Sequence, residues 1–418
     1  MKPSPSNNNQ PIPILFTHYG DEWIRGSERC LLDLLQFINQ DKFTPIVWCN
    51  SQVMYKAVSE MGFKTYQSDF PLLLGWKNPK FALKAYFKLI TFGIQLVQKH
   101  QIKLLHANSA APCQFLNIVA RYCTIPLLAQ LHSEYPVRDR ITLGLHHASH
   151  IVGVSQAVVK PLLIDGIFPK KISVIANGIN TDKFKQAQPV SIRKLLNIDN
   201  NDFVLITVGS LIHRKGFDLL INAVYRLVRQ ALPIQLVIIG MGPEYHSLQA
   251  LINKLHLQKN IHLLAERNDV AGLLKGGADL FVSAARDEAF GLVFAEASLA
   301  GLAIVAPNIG GIPSIVISNK TGILYQPETQ GALDSAIKTC YQSPKHRYQM
   351  AQAGKQYVLD HFNIQQNVAQ FEQTYTQLIQ AHYQTKHWYN NWNFAAVIRC
   401  VFTSASNLLR HRLGHSHD

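Results

Sequence analysis

Short apolar runs recur along the chain at intervals that leave room for one helix between neighbours. Ile12 to Thr17, Pro45 to Cys49, Leu104 to Ala107, Leu127 to Leu131, His150 to Val154 and Ile172 to Ile175 each have strand length. Between the first two, Glu28 to Asn39 puts Leu31, Leu34, Leu35 and Ile38 on one helical face. Strands interleaved with helices predict a parallel sheet covered on both faces. The pattern then restarts, with Phe203 to Val208, Ile234 to Ile239, Ile261 to Leu263, Leu280 to Ser283 and Ala303 to Ala306 as strands. The seam is the turn sequence Asn177-Gly178-Ile179-Asn180, followed by polar residues from Lys183 to Gln188. Tyr341 to Ile379 is expected to be largely helical. His387 to His415 is aromatic and basic and is expected to belong to neither core. The expected fold class is therefore α/β, as two doubly wound domains facing each other across a cleft, with ligands beyond the carboxyl ends of the strands.

Length and composition agree with this division. A chain of 418 residues is too long for one ordinary core. A formal charge of +14 points to an anionic partner. No RNA- or DNA-binding fingerprint is present, so phosphates and headgroups rank above nucleic acid. The six cysteines are scattered without CxxC pairing, which suggests a reducing compartment and no zinc site. Met1 to Pro13 lacks an apolar core of signal-peptide length, and no run reaches the roughly 18 to 20 apolar residues of a spanning helix. The expectation is a cytoplasmic protein, with attachment to the inner face of a membrane open.

The chemistry concentrates at strand ends. Glu288-Ala-Phe-Gly-Leu-Val-Phe-Ala-Glu296 follows an apolar run and leads into a helical pattern, which places Glu288 in a loop and Glu296 about two turns into a helix. Gly291 lets a ligand approach the backbone, and amides at the helix start suit a phosphate. Glu296 can accept hydrogen bonds from paired sugar or ribose hydroxyls. A partly buried acidic residue on a core helix explains the segment equally well. Gly209-Ser-Leu-Ile-His-Arg-Lys215-Gly216 also lies between strand and helix, where Arg214 and Lys215 can grip a diphosphate or form a solvated basic loop. Gly240-Met-Gly-Pro243 reads as a structural turn, and Gly310-Gly-Ile-Pro313 as a similar turn close to the Glu296 unit. Arg25-Gly26-Ser27-Glu28 offers phosphate-binding amides or a simple helix cap. His132 closes a strand, where it binds a hydroxyl or serves structure. No His/Cys cluster, nucleophile elbow or GxxxxGK[ST] loop is present.

Together these motifs resemble the retaining glycosyltransferases of family 4, which have the GT-B fold of two Rossmann-like domains. The resemblance runs from about Ile14 to Phe371. Glu288 and Glu296 resemble the family's E-x7-E pair, and Ser210 to Gly216 its phosphate loop. Arg25 to Arg29 is similar to its Gly-Gly-Ala-Glu-Arg turn, Asn177 to Asn180 to its domain seam, and Gly310 to Pro313 to its late glycine turn. The resemblance implies roles. Glu296 would bind the ribose, and Glu288 the donor sugar beside the backbone of Phe290, Gly291 and Leu292. Lys215 would neutralise the diphosphate, helped by Gly26, with Ser210 and Arg214 in the same loop. Arg267 would precede the loop that holds the base, and His132 would face donor sugar and acceptor.

The domains so implied are a flexible 1–13, an acceptor-side domain 14–185, a nucleotide-sugar domain 186–360, a helix 361–386 returning to the first domain, and the tail 387–418. The expected activity is transfer, with retention and without a metal ion or other cofactor, from a nucleoside-diphosphate sugar to a saccharide or lipid-linked acceptor. A UDP-sugar is favoured, and cell-surface polysaccharide or glycolipid synthesis is the expected setting. A nucleotide-sugar epimerase or hydrolase, or an inactive scaffold of the same fold, are the alternatives. Three residues depart from the family pattern: Ser210 replaces the phosphate-loop arginine, Arg25 the first glycine of the early pair, and Ser314 a common acidic residue.

A second anionic partner is suggested by charge patterning. Between Phe70 and Ser133 there is no Asp or Glu, while Lys80, Lys84 and Lys88 recur every four residues beside Phe81 and Phe87. Their spacing predicts one helix face. The tail repeats the theme, with Trp388, Tyr389, Trp392, Phe394, Ile398, Val401 and Phe402 ahead of Arg410 and Arg412. Both segments suit an anionic membrane surface, or, for the lysines, plain solvation.

Overall fold

A computed structural model describes residues 10–75, 79–384 and 393–402 of the chain. Contacts divide it into two compact units. Unit 1 comprises the residues up to Ala176 together with those from Asn367 onward, and unit 2 is Asn177–Gln366.

Unit 1 is built on seven parallel strands: β1 (Ile12–His18), β2 (Phe43–Cys49), β3 (Lys64–Gln67), β4 (Leu104–Ala107), β5 (Leu127–Leu131), β6 (His150–Gly153) and β7 (Ile172–Val174). Their order in the sheet is β3-β2-β1-β4-β5-β6-β7. The chain works outward from β1 in one direction and then, from β4, in the other. The crevice between the ends of β1 and β4 is therefore a topological switch point, where such sheets place ligands. Strands β1, β4 and β5 are apolar on both faces because helices cover both, and Ile14, Leu15, Phe16, Leu104, Leu105, Leu128 and Ala129 are fully buried.

Two aromatic clusters hold the helices to this sheet. On one side the buried Trp48 ring meets Phe70, Phe92 and Phe115 at 5.1, 5.4 and 5.3 Å between centroids, and its Nε1 donates to Ser68 Oγ at 2.8 Å. On the other, the helix Ile364–Gln384 lays Phe371 and Tyr375 against Phe16, Phe43 and His106. His106 is fully buried there, yet both ring nitrogens are satisfied. Nε2 meets Gln130 Oε1 at 3.0 Å and Nδ1 meets the Tyr375 hydroxyl at 2.7 Å. Burial pushes the His106 imidazole down to about 3, so it is neutral.

Unit 2 has six parallel strands: β8 (Phe203–Val208), β9 (Ile234–Ile239), β10 (Ile261–Leu264), β11 (Leu280–Val282), β12 (Ile304–Pro307) and β13 (Gly322–Tyr325), ordered β10-β9-β8-β11-β12-β13. Its switch point lies between β8 and β11. The helix Phe217–Arg229 packs Phe217, Leu220, Ile221, Val224 and Leu227 on β8 and β9. The seam residue Asn180 caps the helix Thr181–Gln186, accepting from the Lys183 amide at 3.0 Å.

The α/β reading of the sequence holds, with two omissions and three corrections. Strands β3 and β13 escaped detection: each is an edge strand of four residues, and Lys64–Gln67 is polar and only half buried. Lys80 does not share a helix with Lys84 and Lys88. The helix begins at Leu83, and the Lys80 carbonyl instead accepts from the Leu74 amide at 2.8 Å. The tail does not stand apart from both cores. Helix 394–402 buries Ala396 and Cys400 against unit 1, and the Asn393 amide donates to His147 Nδ1 at 3.2 Å. Trp388, Tyr389, Trp392, Arg410 and Arg412 lie outside the described residues. The third correction concerns Glu296. The helix Leu292–Leu299 places it about one turn from the helix start, not two.

Burial also lowers the imidazoles of His147 and His150, each to about 4. With an unfolded value of about 6.5, the unfolded chain binds more protons than the folded one in the interval below it. Stability from these groups and from His106 is thus complete above about pH 6.5 and is lost as pH falls toward 4. The melting temperature should fall steadily across that window. A flat profile there would contradict neutral imidazoles at His106, His147 and His150.

Candidate functional site

Loops at the two switch points carry most of the residues singled out in the sequence. In unit 2 the loop after β8 runs Gly209 to Gly216, and the loop after β11 runs Ser283 to Gly291. Gly216 has φ +64°, and a Cβ there would stand 1.9 Å from the Ala284 carbonyl oxygen, so only glycine permits this approach. Further backbone contacts fasten the loops together. The Arg286 amide donates to the Arg214 carbonyl at 2.8 Å, and the Arg286 guanidinium makes a two-pronged pair with Asp218 at 2.7 and 2.7 Å.

This frame brings Lys215 onto Glu288. The ammonium donates directly to Glu288 Oε2, and Arg214 Nη1 lies 3.8 Å from Oε1. Glu288 is 7% exposed, so an unpaired charge there would be costly. Arg214 is exposed and also donates to the Asp287 carbonyl at 2.9 Å. The Gly310–Gly311 turn closes on the same residue from β12. The Gly311 amide donates to the Glu288 carbonyl at 2.7 Å, and a Cβ on Gly310 (φ +52°) would stand 2.1 Å from that oxygen. The late glycine turn thus positions the first carboxylate of the pair.

Beyond Glu288, Phe290 is buried against Phe362, and Gly291 (φ +89°) opens the helix at Leu292. Glu296 is half-buried on that helix. Ser210 is half-buried in the first loop. Gly240 and Gly242 have a structural part, packing against the carbonyls of Gly209 and Leu211. Arg267 follows β10, at the far edge of the sheet, and forms a two-pronged pair with Asp269 at 2.8 and 2.7 Å. No hydrogen bond or ion pair among the described residues joins it to Lys215 or Glu288.

In unit 1 the loop after β1 and the start of the helix Gly26–Phe37 border a pocket of about 480 Å³. Tyr19, Trp23, Arg25, Glu28, His132 and Tyr135 contribute to its lining. Gly26 begins the helix, and a Cβ there would meet nothing within 4 Å, so close packing does not require glycine at that position. Arg25 stacks over Trp23, 4.2 Å from the ring centroid. Glu28 is 4% exposed. Burial alone would raise its carboxyl, but bonds from His18 and from the Arg25 amide hold it at about 2. His132 reaches Asn108 Oδ1 at 3.0 Å. Burial pushes its imidazole down to about 4.

His18 and Asn108 escaped the reading of the sequence. Each is the polar residue where an apolar run stops, at the ends of β1 and β4, and those strands are neighbours only in the folded sheet. A second cluster was likewise invisible in spacing. His146, Asp165 and Cys400 bring three potential metal-ligand atoms within 4.8 Å of one another. Asp165 already accepts from Arg140 at 2.7 and 2.8 Å and pairs with His146 at 2.8 Å, so a cation there would compete with a guanidinium.

Comparison with known proteins agrees with this fold. Residues 24–183 match the family described as Glycosyltransferase Family 4, and residues 191–357 that described as Glycosyl transferases group 1. Among similar proteins, N-acetyl-alpha-D-glucosaminyl L-malate synthase of Bacillus anthracis is 24% identical over 67% of this chain and 76% of its own. The GPI3 subunit of the phosphatidylinositol N-acetylglucosaminyltransferase of Saccharomyces cerevisiae (strain YJM789) is 26% identical over 55% of this chain; the match spans about half of that subunit, 54%. The crystal structure of Anabaena Alr3699/HepE with UDP superposes with a TM-score of 0.74 at 21% identity, covering 88% of this chain and 100% of that one. The chain belongs to glycosyltransferase family 4, with the GT-B fold, and is a glycosyltransferase.

Proposed function

We propose that the protein is a retaining glycosyltransferase that moves a sugar from a nucleoside-diphosphate sugar, preferably a UDP-sugar, to a saccharide or lipid-linked acceptor. The observation that carries this reading is the Lys215–Glu288 pair at the switch point of unit 2, locked by Gly216 and by the Gly310–Gly311 turn. The UDP preference draws support from the HepE structures, described as complexes with UDP and with UDP-glucose. Not every relative agrees: a Mycolicibacterium smegmatis relative, 25% identical, is named as GDP-mannose-dependent. The lipid-linked acceptor rests on relatives whose names specify phosphatidylinositol.

In this reading the bond between the sugar and the diphosphate breaks, and a bond to the acceptor oxygen forms on the same face. The acceptor proton passes to the departing phosphate. Lys215 neutralises the charge that develops on the leaving group, in place of a metal ion. Because Lys215 already compensates Glu288, an arriving diphosphate shares a cation that is held in position and pre-oriented. Arg214, exposed and 3.8 Å from Glu288, is the nearest further cation and stands in for the arginine missing at Ser210. Glu296 takes the ribose hydroxyls, and Arg267, paired with Asp269, precedes the loop that holds the base.

Unit 1 is also proposed to lie on an anionic membrane surface. The helix Leu83–Lys99 exposes Lys84, Phe87 and Lys88, and Phe81 just before it is 66% exposed. Helix 394–402 exposes Phe394, Ile398, Val401 and Phe402, whose spacing sets them on one face. No helix among the described residues is long and apolar enough to cross a membrane.

The reading is tested by calorimetry with UDP-, GDP- and ADP-sugars on the full chain; binding of none of them would overturn it. Glu296→Ala should weaken binding of the preferred donor about ten- to a hundredfold, because hydrogen bonds to a charged group contribute roughly 1.5–3 kcal/mol. An unchanged dissociation constant in a folded variant would remove Glu296 from the site. Lys215→Ala should lower turnover more than affinity, with activity of the wild type persisting in excess chelator. Loss of affinity alone, or greater damage from Arg214→Ala, would count against Lys215. Sedimentation with anionic vesicles at low salt should fall on Lys84→Glu/Lys88→Glu, each lysine contributing about 1 kcal/mol at such a surface. Equal recovery with neutral and anionic vesicles would dismiss the membrane.

A further inference from the structure

His132 is joined to a buried chain of hydrogen bonds whose direction can be worked out group by group. Glu28 Oε1 is 2.9 Å from His18 Nε2. Asn108 Nδ2 is 3.0 Å from His18 Nδ1 and 3.1 Å from the Ser27 carbonyl oxygen. Asn108 Oδ1 is 3.0 Å from His132 Nε2. Asn108 is fully buried, Glu28 is 4% exposed and His18 is 1% exposed.

The Ser27 carbonyl decides the sequence of donors. A carbonyl oxygen only accepts, so the Asn108 amide must turn its NH2 toward Ser27. The second hydrogen of that NH2 then points to His18 Nδ1, which accepts it. His18 carries its proton on Nε2 and donates it to Glu28, which is a carboxylate. The same Nδ1 also approaches the Asn108 carbonyl, but at 3.3 Å, the longer of the two contacts. On the opposite side of the amide, Asn108 Oδ1 only accepts, so His132 Nε2 must donate. A neutral imidazole has one N–H. His132 therefore has no proton on Nδ1, and no described residue bonds that atom.

We infer that Asn108, oriented by Ser27, His18 and Glu28, is a positioning residue that fixes His132 in its Nε2–H tautomer and leaves Nδ1 as a hydrogen-bond acceptor for a ligand hydroxyl in the unit 1 pocket. The identity of that hydroxyl, on donor sugar or acceptor, rests on the glycosyl-transfer reading; the tautomer does not. His132 remains an acceptor at neutral pH because burial disfavours its charged form, although the nearby Glu28 carboxylate opposes this. The tyrosine, tryptophan and serine side chains around the same pocket suit a saccharide, with apolar ring faces beside hydroxyls. A Nδ1–H tautomer would present a donor to such a ligand, and its hydroxyl would have to turn its oxygen lone pair inward.

The test is nitrogen NMR of the full chain labelled with 15N-histidine, with His132 assigned by its loss in His132→Gln. The wild type should show a pyridine-type Nδ1 and a protonated Nε2 for His132 at neutral pH. Asn108→Ala should release the tautomer to a mixture. Asn108→Asp keeps an acceptor facing Nε2, so below saturation of its raised titration the neutral His132 should stay in the single Nε2–H tautomer that Asn108→Ala loses, a contrast that a purely structural role for Asn108 would not produce. A protonated Nδ1 in the wild type, or an unchanged single tautomer in a folded Asn108→Ala, would overturn the inference. If Asn108→Ala does not fold, the wild-type spectrum and Asn108→Asp decide. Failure of every nucleotide sugar to bind would count against the proposed function while leaving the tautomer result intact, so the two failures are distinguishable.

Discussion

A carboxylate taken out of water must be paired, and in unit 2 the pairing of Glu288 organises everything around it. Its partner Lys215 sits on a different loop, at the end of a different strand, and reaches it because β8 and β11 are neighbours at the point where the sheet reverses direction. Gly216 and the Gly310–Gly311 turn exist to allow and hold that approach, since any side chain at Gly216 or Gly310 would strike a carbonyl oxygen. Removing one member of such a pair costs more than the pair contributes, because the other is left buried and charged. A diphosphate offers the cation a second anion in the same place. In the proposed reading the pair is therefore a site held ready for ligand, rather than a simple brace.

Unit 1 uses the same topology with different chemistry. At its switch point the end of β1 supplies His18 and the end of β4 supplies Asn108, and the helix starting at Gly26 adds Glu28. Burial would favour a neutral Glu28, but donors from His18 and the Arg25 backbone keep it ionised. The result is one anchored negative charge, from which a line of neutral polar groups leads to His132 on the pocket wall. The helix Ile364–Gln384 and the described part of the tail are packed on this unit by aromatic contacts and by the Tyr375–His106 bond.

Much of this was legible in the sequence because the strands are buried on both faces. Continuous apolar runs marked Phe203–Val208 and Ile234–Ile239 to the residue, and residues following such runs marked Lys215, Glu288 and His132. What escaped lacked that contrast. Lys64–Gln67 is polar and nowhere fully buried, and Gly322–Tyr325 is only four residues long and opens on a glycine. Lys80 has helical spacing from Lys84, but the chain bends before Leu83. His18, Asn108, and the Arg140–Asp165–His146 cluster with Cys400 are contacts between residues far apart in sequence, and one-dimensional spacing carries no trace of them. Arg267 fits the family pattern by position, yet it is bound to Asp269, a competition that only coordinates reveal.

In the proposed function the loops meeting at Glu288 form a diphosphate site, and a crystal structure of the full chain with UDP would decide it. Phosphate oxygens should lie within hydrogen-bonding distance of Lys215 Nζ, with Glu296 on the ribose hydroxyls and Glu288 still clamped by Gly311. UDP bound elsewhere on unit 2, with the Lys215–Glu288 pair untouched, would contradict it.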